Sequence, residues 1–231
     1  MGTAPAQMKG RTAMYWWTAL ASTGAAVALT IVAAVAKAPL PGDRSLARQI
    51  QGSATIDALA PAVNALGDWR WLPFLAAAAV TLSSASRRRA PTVSRVLAIL
   101  LPFAVIAILW LGSAWLKQAV QSPRPSPTDG LDIDRIRQDY GFPSGHVYGD
   151  AITYGYIGIV VAGLFPPWLA WPIRGICAAI VLLAGLARVS VGAHWPSDTA
   201  GGYLWGGAVL AVVLGTRELL VRRGEGQSRA S

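Results

Sequence analysis

Acidic residues are scarce in this chain. In 231 residues, 11 Asp and Glu stand against 20 Lys and Arg, and charged residues of both signs make up only 13%. A soluble domain usually carries about 25% charged residues, so the composition argues against one. Cysteine is scarcer still: the single Cys177 excludes an intrachain disulfide, and with only two histidines no Cys/His cluster of metal-ligand spacing exists. Cys177 sits inside an apolar run and reads as a small packing residue. A cleavable signal is also missing. The first apolar run follows Lys9 and Arg11 but is long, and no small-residue cleavage site closes it, so it reads as a retained helix.

What is present is apolar mass: 54% of residues are hydrophobic, and the mean hydropathy is +0.45. It falls into runs that approach the roughly 20 residues needed to cross a bilayer. Six segments stand out, at 14–35, 71–85, 93–115, 147–165, 168–186 and 199–221. Ala and Gly are frequent in them, as at Gly155, Gly158, Gly201, Gly202, Gly206 and Gly207, which suits close helix packing in lipid. Trp16, Trp17, Trp69, Trp71, Trp115, Trp168 and Trp195 lie near segment ends, where an interfacial belt belongs. The expected fold is all-α: one integral membrane bundle of six transmembrane helices over residues 1–223, followed by a disordered polar tail over 224–231.

Charge sorting orients the bundle. If six spans alternate, one side holds both termini and the links between the second and third and between the fourth and fifth spans. That side carries 11 basic residues, including Arg87, Arg88, Arg89 and Arg95, against Glu218 and Glu225. The other side balances 9 basic residues against 9 aspartates, so the whole net charge of +9 falls on one face. The excess of Lys and Arg marks the cytoplasmic face, which places both termini in the cytoplasm of a multi-pass plasma-membrane protein. Basic charge beside apolar runs, not along a soluble surface, speaks against a nucleic-acid partner. The stretch 37–70, with Arg44, Leu46, Ile50 and Leu59, reads as a helix on the interface. Residues 117–140 are polar, with Pro123, Pro125 and Pro127 as turn formers, and Asp129, Asp132, Asp134 and Asp139 read as a solvated loop face.

Three polar patches fall on the extracytoplasmic side: Lys117 to Pro125, Pro143 to His146, and Arg188 to Asp198. Both histidines are in them, although the topology was set without using them. Lys117, Arg124 and Arg188 suit a tetrahedral oxyanion, arginine through paired donors and lysine as a point charge. Ser144 fits the N-cap of the fourth helix, whose free N–H groups and positive dipole end favour an anion, and Gly145 allows close backbone approach. Asp198, four residues after His194, is placed to accept an imidazole N–H and turn the other nitrogen towards phosphorus as a nucleophile. His146 fits the proton donor to a leaving alkoxide. Asp150, one turn after His146, fits either a tuning group or a structural hydrogen bond. Tyr148, Tyr154 and Tyr156 read as packing residues.

Lys117, six residues, Arg124-Pro125, then Pro143-Ser144-Gly145-His146, then Arg188, five residues, His194, three residues, Asp198: this pattern resembles the tripartite signature of the type 2 phosphatidic acid phosphatase superfamily. That superfamily also includes vanadium haloperoxidases and soluble bacterial acid phosphatases. The resemblance implies a reaction without metal or other cofactor, with His194 as nucleophile, Asp198 as its partner and His146 as general acid. It implies a phosphate site of Lys117, Arg124, Ser144, Gly145 and Arg188. One position departs: the third motif usually reads Ser-Arg and here reads Ala187-Arg188, which removes one hydroxyl and about 1 kcal/mol of hydrogen bonding. The implied substrates are lipid phosphates: undecaprenyl diphosphate, phosphatidylglycerophosphate or phosphatidic acid. Rival activities are phosphotransfer to another lipid or sugar, vanadate-dependent halide oxidation, and a non-catalytic transporter or anion-binding scaffold.

Overall fold

The structure, a computed structural model, describes residues 4–37, 39–70, 72–73, 75–77, 100, 104, 107 and 111–230. Among the described residues every regular element is a helix and no strand occurs. In chain order these are α1 (Ala4–Ala36), α2 (Asp43–Gln51), α3 (Ala54–Asp68), α4 (111–120), α5 (Gly145–Tyr156), α6 (Pro167–Ser190) and α7 (Pro196–Ala230). A π turn, Ile157–Val161, and a 3-10 turn, Ala162–Leu164, extend α5.

Four helices among the described residues are long and apolar enough to cross a membrane: Gly10–Ala36, Gly145–Leu164, Pro167–Ser190 and Pro196–Arg222. They correspond to the first, fourth, fifth and sixth expected spans, and the chain is a membrane protein. The second expected span, the start of the third and the link with Arg87–Arg89 lie largely outside the described residues; α4 continues from the end of the third. Two other expectations change. Residues 224–230, read as a disordered tail, continue α7 as helix. The stretch 37–70 forms two helices, not one, and its presumed apolar face splits, with Ile50 buried and Leu46 and Leu59 exposed.

α5 is the hub. Its residues are buried almost all round, against α3, α6 and α7, which fits a helix lacking a polar stripe. Small residues set its distance from α7: a Cβ on Gly202 would stand 2.9 Å from the Ser144 carbonyl oxygen, and one on Gly206 would stand 2.8 Å from the Ala151 Cβ. α1 lies along α7, where the Ser22 hydroxyl donates to the Leu204 carbonyl and the Trp205 indole donates to Thr30 Oγ1 at 3.1 Å.

The ends of the helices are sorted. Lys37, just after α1, donates to the carbonyl of Val120 at the end of α4 (2.9 Å). Asp43 of α2 accepts both the amide and the hydroxyl of Ser197, at 2.9 and 2.6 Å. Asp43 thus serves the orphan donors at the start of α7 from another helix. The ends of α1, α4 and α6 and the starts of α5 and α7 therefore share one end of the bundle. The connection 121–144 is tied down there. Gln51 exchanges two hydrogen bonds with the backbone of Asp132, and the Trp195 indole donates to the Pro123 carbonyl at 3.0 Å. Trp195, expected in the interfacial belt, is instead 1% exposed and packs with Ala47, Ile50, Leu131 and Val189. Trp16, Trp17, Trp69, Trp115 and Trp168 are exposed, as a belt requires.

Candidate active site

A cavity of about 590 Å³ opens at this end of the bundle. Lys117, Arg124, Gly145, His146, Arg188 and His194 all line it. The three polar patches, spread over some 80 residues of sequence, therefore meet. Each is delivered by a helix end: α4 brings Lys117, the start of α5 brings Gly145 and His146, and the end of α6 brings Arg188. The turn after α6 carries His194. It depends on Gly192, whose φ of +64° puts it in the left-handed region; a Cβ there would strike the Asp132 carbonyl oxygen at 2.4 Å.

His194 is held from both sides. Arg124 Nη1 lies 2.9 Å from its Nε2, and Asp198 Oδ2 lies 3.3 Å from its Nδ1. A guanidinium has no acceptor, so Nε2 must accept and Nδ1 must carry the proton towards Asp198. The tautomer expected from the four-residue spacing follows from this geometry. His194 is 2% exposed. Burial first, then the charges of Arg124, Lys117 and Arg188, push its pKa well below the ordinary imidazole value, so Nε2 keeps its lone pair at neutral pH. Asp198 is fully buried and also accepts the Trp195 amide at 3.0 Å.

His146 Nε2 lies 2.7 Å from Asp68 Oδ1 at the end of α3. The carboxylate accepts, so it holds a proton on Nε2. That hydrogen bond is the main cause of the lowered Asp68 pKa. Nothing in the local sequence pointed to Asp68, which is 78 residues away. Its only signal is its place on the same face of α3 as Asn64, four residues earlier, a polar pair in a largely apolar helix. Asn64 Oδ1 accepts from Arg188 Nη1 at 3.3 Å.

The cations differ in what occupies them. Arg124 uses four of its five N–H donors: beyond His194 it donates to the Ala193 carbonyl (2.6 Å), the Asp139 carbonyl (3.1 Å) and the Asp139 carboxylate (2.7 Å). Lys117 donates to the Tyr140 carbonyl at 2.8 Å and to Asp139 Oδ2 at 3.4 Å. Burial, then the charge of Arg124, lowers the Lys117 pKa. Asp139, read as part of a solvated loop face, is 59% exposed, and its carboxylate also lines the cavity, where both motif cations converge on it. Burial raises its pKa, but Arg124 and Lys117 outweigh that and leave it lowered. Asp129 also departs from that reading: Arg44 and Ser126 engage its mostly buried carboxylate.

Two of the motif donors, Ser144 Oγ and Arg188 Nε, are buried without a hydrogen-bond partner among the described residues. Ser144 stands at the N-cap of α5, as expected, but its hydroxyl makes no capping bond; its amide donates to the Asp198 carbonyl at 2.9 Å. A Cβ on Gly145 would meet nothing within 4 Å, so the backbone at the cavity wall is open to approach. Asp150 is 2% exposed and does not line the cavity. Tyr148, Tyr154 and Tyr156 are buried packing residues. No group of three or more His, Cys, Asp or Glu among the described residues is placed to hold a metal ion.

Asp139 uses donors that suit an incoming oxyanion. Asp139→Asn is expected to lower KM for an anionic substrate by about 3- to 10-fold, the scale of one partly exposed ion pair with good geometry. Steady-state phosphate release against substrate concentration would check it.

Residues 95–221, more than half of the chain, match the model of the PAP2 superfamily, and the chain belongs to that superfamily. Among solved structures, the chain is similar to one described as the first transmembrane PAP2 type phosphatidylglycerolphosphate phosphatase from Bacillus subtilis. Identity is 20% over 92% of this chain and 96% of that one, with a TM-score of 0.47. Among curated proteins none matches the chain.

Proposed function

We propose that this protein is a lipid phosphatase of the membrane, acting through a phosphohistidine without a metal ion. The observation that carries the reading is His194, with Asp198 on Nδ1 and Arg124 at 2.9 Å from Nε2, in a cavity also lined by Lys117, Arg188 and His146. A phosphate arriving there takes donors from Arg124, Lys117 and Arg188, with Ser144 Oγ and the first amides of α5 as further donors. Once Arg124 turns to phosphate oxygens, Nε2 of His194 is free to attack phosphorus. The P–O bond to the lipid breaks, and His146, entering as the imidazolium with Asp68 on its Nε2–H, gives its Nδ1 proton to the departing oxygen. In the second half His146 takes a proton from water, which cleaves the P–N bond and releases phosphate. Phosphoryl transfer asks mainly for positioning and charge stabilisation, and a fixed cluster of cations in the cavity supplies both.

The six-span layout, with both termini in the cytoplasm and the cavity on the extracytoplasmic side of the plasma membrane, belongs to the same proposal. It rests on the charge asymmetry and on the common end shared by the cavity-forming helix termini. A reporter fused after α7 is expected to report the cytoplasm; an extracytoplasmic signal would reverse the orientation.

The direct test of function is phosphate release by the purified protein in detergent, across polyprenyl diphosphate, phosphatidylglycerophosphate and phosphatidic acid. Turnover of at least one is expected, and it should persist in excess EDTA. A strict need for a divalent cation would refute the mechanism.

A further inference from the structure

The residues matched to the superfamily run from 95 to 221 and contain all three motifs, yet the cavity is also built from the end of α3. Asp68, the last residue of that helix, lies 2.7 Å from His146 Nε2. Asn64, one turn earlier, accepts from Arg188 Nη1 at 3.3 Å. Arg70, just past the helix, lines the cavity. Gly67 lets this end come close to α5: a Cβ there would stand 3.3 Å from His146 Cδ2 and 2.9 Å from Asp150 Oδ2. No motif predicts any of these four residues.

Asp68 does little for the fold. Its side chain is 63% exposed, and an exposed ion pair adds little stability. It also stands at the C-terminal end of α3, where the helix dipole is negative, so its charge opposes the helix. What it does touch is an imidazole of the cavity wall.

That imidazole sits among charges of both signs. Asp68 and Arg70 face it from the end of α3, Arg188 from the end of α6 and His194 from the turn beyond, while Asp150 is buried one turn further along α5. Two nearby arginines disfavour an imidazolium, and a hydrogen-bonded carboxylate favours it. Asp68 is the carboxylate bonded to the ring. The bond to His146, with the charges of His146, Arg188 and Arg70, holds the Asp68 pKa low against burial. Asp68 therefore stays ionised at neutral pH and takes no proton itself.

We infer that Asp68 is a positioning residue for the proposed reaction: it fixes the His146 ring with Nε2–H towards α3, keeps the imidazolium available, and leaves Nδ1 to serve the leaving group. The inference rests on the phosphatase reading and adds to it a fourth active-site segment, residues 64–70. As Nε2 of His194 bonds to phosphorus and the P–O bond breaks, the Nδ1 proton of His146 passes to the departing oxygen. His146 is left neutral, with its remaining proton on Nε2 and still donated to Asp68. The water that then cleaves the P–N bond returns a proton to Nδ1.

The test uses two esters with one tail, dodecyl phosphate and a nitrophenyl phosphate carrying the same dodecyl chain, on the full-length protein in detergent. An alkoxide needs a proton to leave, whereas a nitrophenolate leaves without one. Asp68→Asn is expected to lower kcat/KM for the alkyl ester by about 10- to 100-fold, within the range of general acid catalysis, and for the nitrophenyl ester by less than about 3-fold. Tm should stay the same or rise, since the substitution removes a charge that opposes the helix dipole. Equal losses on both esters, or no loss on either, overturn the positioning role. Where either ester is not turned over by the unsubstituted protein, Asp68 is judged on the ring itself; failure with the lipid phosphates as well is what defeats the phosphatase reading. The chain has only two histidines, so NMR spectra of labelled imidazole nitrogens, assigned with His194→Gln, should show His146 protonated at Nε2 and Asp68→Ala losing that preference. A His146 signal unchanged by Asp68→Ala refutes the inference.

Discussion

His194→Ala is expected to lower kcat for phosphate release by about 10⁴-fold or more, the scale seen when a nucleophile acting as part of a unit is removed. The reason is positional. In the cavity only His194 combines a buried, deprotonated ring nitrogen with a carboxylate behind it and an arginine in front. His146 is held differently, with Asp68 on its Nε2, and its proposed part is proton transfer. The substitution deletes a ring that is 2% exposed, so some stability is lost with the activity. Thermal unfolding in detergent separates the two effects, and His194→Gln, nearer in volume, should be as inactive while closer to the parent in Tm. Trapping of labelled phosphate on the unsubstituted protein after an acid quench, absent from His194→Ala, would locate the covalent bond. Near-normal turnover by His194→Ala in folded protein would sink the proposed chemistry.

Arg188→Ala should reduce kcat by about 10³-fold, within the range attributed to arginines that stabilise charge on a transferring phosphoryl group. Arg188 lies in the last turn of α6, is 7% exposed, and has Nε unpartnered and Nη1 on Asn64. A buried guanidinium with spare donors suits an anion that is present only during turnover. Arg188→Lys should recover little of the loss, since an ammonium cannot supply two parallel donors from the same place. A purely structural Arg188 predicts the reverse pattern: Tm falls, and kcat per folded molecule does not. Because Ala187 supplies no hydroxyl beside it, Arg188 carries a larger share of phosphate binding here than it would next to a serine.

Much of this was legible beforehand because it depends on short-range chemistry. Apolar runs near 20 residues declare themselves by length, and the four recovered spans lie within or beside their expected limits. The spacing of His194 and Asp198 is one helical turn, so their pairing could be read without coordinates. Lys117, Arg124, His146 and Arg188 share a motif pattern, and the cavity does gather them. Asp68, Asn64, Asp139 and Asp43 were not legible. Each acts on a residue brought near only by helix packing: Asp68 on His146, Asn64 on Arg188, and Asp43 on Ser197, 154 positions away. No local periodicity encodes such a distance. Asp139 is solvated, as an aspartate in a polar, proline-rich stretch suggests, but its pairing with Lys117 and Arg124 appears only once the loop folds. Trp195 misled, since an aromatic near a span end resembles a belt residue until the connection 121–144 closes over it.

By itself the amino-acid order settled that the chain is helical and bound to a membrane, and which side chains of its three motifs have the chemistry for phosphate. Those properties follow from hydropathy, helical period and functional-group type, which are local. The tertiary structure alone decided which nitrogen of His194 carries the proton, what restrains His146, and that Arg70, Arg135 and Arg137 face the same cavity as the motif cations. These depend on distances between helices, and helix packing sets them through small residues such as Gly202 and Gly206 and through the buried Trp195 that clamps the loop.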